Sequence, residues 1–85
     1  MYYVYILQSK QDGYFYVGYT INIQKRIKQH NLGLVRSTKN RIPFHLVYFE
    51  GCFNQRDALK REKYLKTAWG KRYIKNRLKH FLFLK

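Results

Sequence analysis

Several residues of this 85-residue chain have side chains whose chemistry could act on a phosphodiester bond. Tyr5 and Tyr16 lie in separate aromatic segments, and Arg26 precedes His30 by four residues, one turn of a helix. Phosphodiester hydrolysis needs a base that activates water, positive charge beside the phosphorus, and a group that stabilises the leaving oxygen. A phenol serves as the base only if its pKa falls from about 10 toward neutrality, which neighbouring cations favour. Taken singly, paired tyrosines are typical of any hairpin, and an Arg–His pair is typical of a solvated helix face.

Glu62 is the acidic residue that lacks an ordinary local explanation. It follows Ala58 by four residues, and it precedes Leu65 by three and Trp69 by seven. This spacing predicts that Glu62 lies on the inward stripe of a helix, where a polar group must find a partner. Two interpretations stay open. One is a buried ion pair with an arginine, and the other is a ligand for a hard divalent cation, which prefers carboxylate oxygen.

The first nineteen residues predict a β-hairpin. Residues 2–7 and 14–19 are rich in β-branched and aromatic side chains, and an Asp-Gly turn signal lies between them. With a loop of even length, we expect Tyr5 to pair directly with Tyr16 on one face. The residues that strand alternation assigns to the opposite, core-facing side are Val4, Ile6, Phe15 and Val17.

A helix and a third strand are predicted next. The helix begins at an N-cap within residues 20–22 and runs to about residue 32, where Gly33 ends it. A basic loop without clear periodicity follows. The third strand covers residues 44–50 and ends at Gly51.

Helices complete the predicted fold. Asn54 opens a helix that extends to about residue 67, and Gly70 separates it from a last helix. The predicted order is therefore ββαβαα, within one α+β domain that spans residues 1–85.

The charge balance indicates a polyanionic partner. Eighteen Lys and Arg residues against four Asp and Glu residues give a net charge of +14, which exceeds the magnitude of about 2–8 that solubility requires. Nucleic acid is the partner we expect. The candidate phosphate contacts on the first helix and the basic loop are Lys25, Lys28, Arg36, Lys39 and Arg41.

Other features narrow the class of protein. No apolar run approaches the roughly 18–20 residues of a membrane span, and the N-terminus lacks the layout of a signal peptide. The single cysteine, Cys52, cannot form an intramolecular disulfide or a cysteine-based zinc site. We therefore expect a cytoplasmic protein without membrane association or a small-molecule cofactor. The oligomeric state stays open.

In this order and spacing, the motifs resemble those of the GIY-YIG nucleases. Residues 3–5 (Tyr-Val-Tyr) resemble the first family motif and residues 16–18 (Tyr-Val-Gly) the second. Arg26 and His30 match the family's Arg-x-x-x-His helix, and Glu62 matches its later glutamate. The resemblance covers residues 2–68 and is closest to small stand-alone bacterial members, which are similar to the catalytic domain of the excinuclease C subunit.

The resemblance implies a fold and a set of roles. It implies a three-stranded, mainly antiparallel sheet with flanking helices. Tyr5 and Tyr16 would line the site, one of them as general base, and Gly18 would let the backbone approach closely. Further implied roles are phosphate binding by Arg26, orientation of water or a phenol by His30, and binding of one Mg²⁺ or Mn²⁺ ion by Glu62.

This chain departs from the family pattern at two positions. Tyr3 stands where the first motif has glycine, and Tyr19 stands where some members have a lysine. Asn76 is the candidate for a further asparagine that some members use.

Two functions follow as hypotheses. One is a metal-dependent endonuclease that nicks DNA with low sequence specificity, and we expect DNA rather than RNA as its substrate. The other is a nucleic-acid-binding module, for DNA or RNA, that has little or no turnover.

Overall fold

The computed structural model describes residues 1–83, and it has the predicted α+β architecture. Leu84 and Lys85, the end of the predicted domain, lie outside the described residues. The predicted order ββαβαα is observed, followed by one short additional helix. The elements are β1 (Tyr2–Ser9), β2 (Phe15–Thr20), α1 (Ile23–Asn31), β3 (Phe44–Cys52), α2 (Gln55–Leu65), α3 (Ala68–Arg77) and α4 (Lys79–Phe83). None of the helices within residues 1–83 has the length and apolar character that crossing a bilayer requires.

The three strands form one antiparallel sheet in the order β2-β1-β3. The predicted pairing of Tyr5 with Tyr16 is wrong, because Tyr5 lies opposite Gly18 and Leu7 lies opposite Tyr16. The turn centres one residue later than expected and closes at Gly13, whose φ of +76° suits a glycine. The register is therefore displaced by two residues, which keeps every side chain on its predicted face.

Both faces of the sheet are covered. On the predicted core face, Val4 and Ile6 are buried against Ala58 of α2 and Ile74 of α3. Phe15 and Val17 pack against the same cluster, as expected. On the opposite face, a second buried cluster consists of Tyr5, Leu7 and Phe44, with Ile27 of α1 packed against it. The sheet face that carries Tyr5 thus forms the floor of the candidate site and also contributes to the hydrophobic core.

The helix boundaries differ from the prediction at the end of α2. Asn22 and Asn54 cap α1 and α2 as expected, and Gly33 follows α1. However, α2 ends at Leu65, because Thr67 accepts a hydrogen bond from the Gly70 amide and caps α3.

Gly70 lies inside α3 rather than between two helices. A Cβ atom at this position would lie 2.3 Å from the Tyr64 carbonyl oxygen, so glycine lets α3 pack directly on the end of α2. The prediction that Gly51 ends the third strand is also wrong. Gly51 pairs with Tyr3, and β3 continues to Cys52.

Candidate active site

The Tyr5 side chain lies across the backbone of β2 at Gly18. A Cβ atom at Gly18 would lie 2.3 Å from both the Cζ and the hydroxyl oxygen of Tyr5. Any larger residue would therefore displace the phenol. Because β2 is an edge strand, a ring that crosses Gly18 carries its hydroxyl toward the open edge of the sheet. The glycine of the second motif thus makes room for the tyrosine of the first.

His30 approaches the same phenol from α1. Its Nε2 atom lies 2.9 Å from the Tyr5 hydroxyl oxygen, and the Tyr16 ring centroid lies 5.1 Å from its own. His30 is fully buried. Burial lowers its pKa to about 4, and the charge of Arg26 acts in the same direction. At neutral pH the imidazole is therefore uncharged, and one of its nitrogens is available as an acceptor.

Arg26 lies one turn before His30 and close to the Tyr5 hydroxyl. Its Nη1 atom donates a hydrogen bond of 3.1 Å to Gln29, and its side chain is half-buried. Burial raises the pKa of Tyr5. Arg26 opposes that rise, whereas Tyr16 and Glu62 add to it through charge repulsion. A tyrosine base needs a lowered pKa, but the pKa of Tyr5 is raised in the free protein, because the effect of burial is larger than the opposing effect of Arg26.

Glu62 is close enough to influence the Tyr5 pKa electrostatically, although it belongs to the helix on the other face of the sheet. Its Oε2 atom lies 3.3 Å from the ammonium of Lys66, and its side chain is 21% exposed. The predicted inward stripe is only partly correct. Ala58 and Leu65 are buried, but Trp69 is exposed, because α2 ends before it.

The arginine partner considered for Glu62 belongs to another acid. Arg61 donates two hydrogen bonds of 2.9 Å to Glu50, and its guanidinium lies over the rings of Tyr64 and Tyr73. This arrangement holds the pKa of Glu50 below its usual value against the effect of burial. Glu50 is therefore committed to an ion pair, whereas within residues 1–83 the ion-pair partner of the Glu62 carboxylate is a lysine one turn away on the same helix.

The residues fit a divalent cation bound by a single carboxylate. Residues 1–83 contain no group of three or more His, Cys, Asp and Glu side chains that could form a protein cage. Mg²⁺ commonly binds through one or two carboxylates, several waters and substrate phosphate oxygens. Glu62, which is partly exposed and near enough to Tyr5 to raise its pKa through charge repulsion, is suited to that mode.

The predicted phosphate contacts differ in their availability. Lys25, Lys28, Arg36 and Lys39 are exposed. By contrast, Arg41 forms a 2.7 Å ion pair with Asp12 in the hairpin turn, and it also donates to the carbonyl of Tyr14. Its guanidinium therefore ties the basic loop to the hairpin.

Thr38 is a polar contact of the site that no sequence pattern indicated. It is fully buried, and its hydroxyl oxygen lies 2.8 Å from Nδ1 of His30. A threonine in a loop without periodicity carries no recognisable signal. Asn76 is exposed on α3, and its participation stays a prediction.

Known proteins resemble this chain in sequence and in fold. The family model described as the GIY-YIG catalytic domain matches residues 1–79. A UPF0213 protein of Clostridium perfringens is 49% identical over 67 residues, which cover 78% of this chain and 71% of that protein. A UPF0213 protein of Bacillus licheniformis is 42% identical over 79 residues, covering 88% and 80%. The solution NMR structure of a UPF0213 protein of Bacillus halodurans has a TM-score of 0.54 and 36% identity, covering 87% of this chain and 82% of that one. The chain therefore belongs to the GIY-YIG family of nuclease-type catalytic domains.

Proposed function

We propose that this protein is a metal-dependent endonuclease that hydrolyses DNA phosphodiester bonds with low sequence specificity. The observation that carries the proposal is the hydrogen bond between Tyr5 and a neutral, buried His30, within reach of the charges of Arg26 and Glu62. A phenol, an uncharged imidazole, a guanidinium and a carboxylate supply the base, the proton acceptor and the charges that phosphoryl transfer to water requires.

Tyr5 is the better candidate for the general base, because its hydroxyl contacts His30 directly. The raised pKa of Tyr5 means that a preformed phenolate is absent at neutral pH. We infer that the phenol takes a proton from water while its own proton moves to Nε2 of His30. The neutral state of His30 leaves it able to accept that proton.

Arg26 and Glu62 would supply the positive charge that the reacting phosphate needs, Arg26 directly and Glu62 through a bound cation. The guanidinium of Arg26 presents donors and a fixed charge to the scissile phosphate, which stabilises negative charge as it grows. Glu62 would hold one Mg²⁺ or Mn²⁺ ion, which supplies positive charge for the leaving oxygen when it is bound.

The exposed cations favour a substrate gripped through its backbone. Lys25 and Lys28 lie on the helix that carries Arg26, and Arg36 and Lys39 lie on the loop that follows. Phosphate contacts carry no base information, so we propose low sequence specificity. For each phosphate contact, the logarithm of the DNA-binding constant is expected to fall by about 0.9 for every tenfold increase in salt concentration.

A second candidate function is nucleic-acid binding without useful turnover. The raised pKa of Tyr5 favours it, because a protonated phenol is a poor base unless its proton has an acceptor. This candidate predicts the same salt-dependent binding but no cleavage under any metal condition.

A nicking assay distinguishes the two candidates. Purified protein is incubated with supercoiled plasmid in Mg²⁺, Mn²⁺ or chelator, beside Arg26→Ala and Glu62→Ala, and binding is measured by fluorescence anisotropy. The endonuclease proposal expects metal-dependent nicking that both substitutions abolish. Binding without nicking in every sample would favour the binding module, and nicking that survives Glu62→Ala would contradict the site assignment.

A further inference from the structure

A buried chain of hydrogen-bonding groups connects Tyr5 to the basic loop between α1 and β3. The Tyr5 hydroxyl contacts Nε2 of His30 at 2.9 Å, and Nδ1 of His30 contacts the Thr38 hydroxyl at 2.8 Å. The Thr38 hydroxyl lies 3.4 Å from the carbonyl oxygen of Val35. Tyr5, His30 and Thr38 are each 0–1% exposed, so bulk water competes little for the two hydrogen bonds of the His30 ring.

Two arrangements of protons could satisfy the His30 ring. In the first, Nδ1 carries the hydrogen and donates it to Thr38, and Nε2 accepts the hydrogen of the Tyr5 hydroxyl. In the second, Thr38 donates to Nδ1, and Nε2 donates to the Tyr5 oxygen. The arrangements differ in the fate of the phenol hydrogen.

In the first arrangement, every polar hydrogen on the side chains of Tyr5, His30 and Thr38 has an acceptor. The Tyr5 hydrogen goes to Nε2, the Nδ1 hydrogen goes to the Thr38 oxygen, and Thr38 can donate its own hydrogen to Val35 over the longer distance. The second arrangement would make the Tyr5 oxygen accept from Nε2 and leave the Tyr5 hydrogen without an acceptor among the hydrogen bonds of residues 1–83. Buried polar hydrogens are rarely left without an acceptor, so the first arrangement is favoured.

We propose that Thr38 is a positioning residue that keeps the proton of His30 on Nδ1, so that Nε2 faces Tyr5 as an acceptor. The catalytic consequence rests on the proposed endonuclease function, because a Tyr5 proton can move to His30 only if Nε2 carries a lone pair. After that transfer, the Nδ1–H···Thr38 hydrogen bond stabilises the imidazolium. The loop thus contributes to the site through a hydroxyl group as well as through its cations.

The tautomer of His30 can be measured without any assay of activity. In protein labelled with ¹⁵N-histidine, long-range ¹H–¹⁵N spectra distinguish a protonated from an unprotonated ring nitrogen. A His30→Gln variant identifies the His30 signals among the three histidines. We expect Nδ1 to be protonated in the unmodified protein and in Thr38→Ser. In Thr38→Val, which has a similar shape but lacks the hydroxyl group, the Nδ1 hydrogen loses its acceptor, and we expect a population with the proton on Nε2 to become detectable.

Kinetics test the catalytic part. Thr38→Val is expected to lower the single-turnover nicking rate at least about tenfold, at the scale of a lost proton acceptor, with unchanged DNA binding. Thr38→Ser should restore most of the rate. Ser37→Ala, an exposed neighbour in the same loop, should match the unmodified protein.

The outcomes separate this inference from the proposed function. Protonated Nε2 in the unmodified protein overturns the inference, as does an unchanged tautomer in Thr38→Val. The spectra of the unmodified protein and of Thr38→Ser decide the assignment even if Thr38→Val does not fold. The predicted tautomer together with absence of nicking would contradict the endonuclease proposal and leave the assignment of the His30 proton intact.

Discussion

Gly18→Ala tests whether the position of the Tyr5 hydroxyl determines activity. The added methyl group would lie 2.3 Å from both Cζ and the hydroxyl oxygen of Tyr5. To regain ordinary contact distances, the phenol must move by about 1 Å. Its hydrogen bond to His30 is 2.9 Å long, so a shift of that size either stretches the bond beyond hydrogen-bond distance or drives the two atoms into a clash.

The expected loss of activity is large compared with the loss of stability. A misplacement of about 1 Å in an active site can lower the rate by about 10²-fold. Overpacking of this kind typically destabilises a protein by about 1–3 kcal/mol. We therefore expect Gly18→Ala to fold, to bind DNA, and to nick plasmid about 10²-fold more slowly.

The assay combines nicking rates with a double-mutant cycle. Gly51→Ala is the matched control, because its added methyl group would meet the flexible tip of the exposed Met1 side chain at the far edge of the sheet. Tyr5→Phe removes the hydroxyl group and keeps the ring. If Gly18→Ala acts by displacing that hydroxyl group, adding it to Tyr5→Phe should cause little further loss. Full activity in a folded Gly18→Ala protein would refute the reasoning, and so would fully additive losses in the double variant.

The two partly buried acids should respond in opposite ways. Glu62→Gln should abolish metal-dependent nicking while the free energy of unfolding changes by less than about 0.5 kcal/mol, because its lysine partner is exposed. Glu50→Gln should lower that free energy by about 1–3 kcal/mol and preserve the nicking rate of the folded fraction, because it breaks the ion pair with an arginine; urea titrations beside nicking assays check both, and exchanged phenotypes would contradict the assignment. Burial depresses the pKa of His30 from 6.5 to about 4, so its contribution to stability is fully present above pH 6.5 and is lost as the pH falls toward 4. Between pH 7 and 4.5 the unmodified protein should lose about 2–3 kcal/mol more than His30→Gln, and parallel stability curves for the two proteins would argue against a buried neutral imidazole. Gly70→Ala should destabilise the fold by about 1–3 kcal/mol, because its methyl group meets the carbonyl of Tyr64 at 2.3 Å; an unchanged melting temperature would show that α3 can move away from α2.

The sequence predicted correctly which hairpin side chains share a face, because side chains in a strand alternate between the two faces and a shift by an even number of residues preserves that alternation. The Tyr5 register was displaced by two residues, an even number, so the predicted core residues Val4 and Ile6 are buried as expected. The exact partner of Tyr5 could not be predicted, because it depends on how the turn closes. Ser9 accepts hydrogen bonds from two amides of that turn, a local arrangement that composition does not specify.

Other features depended on contacts between distant segments. The sequence predicted a helix break at Gly70, whereas Gly70 lies inside α3 and packs on the end of α2. That contact joins two helices and is not visible in the local sequence. The ion-pair partner of Glu50 could not be predicted either, because Glu50 lies on a strand and its partner Arg61 lies on a helix later in the sequence. Thr38 reaches His30 through the folding of a loop, which no periodic pattern describes.

The most direct test of the account follows the oxygen atom of the attacking water. A DNA substrate is cut in a single turnover in H₂¹⁸O with Mg²⁺ or Mn²⁺, and the terminal phosphate of the product is analysed by mass spectrometry. Hydrolysis by water activated at Tyr5 predicts one ¹⁸O atom in that phosphate, a product yield from Tyr5→Phe that is lower by about 10²-fold or more, and no product from Glu62→Gln. Uncut DNA, an unlabelled phosphate, or a product that stays covalently attached to the protein would contradict it.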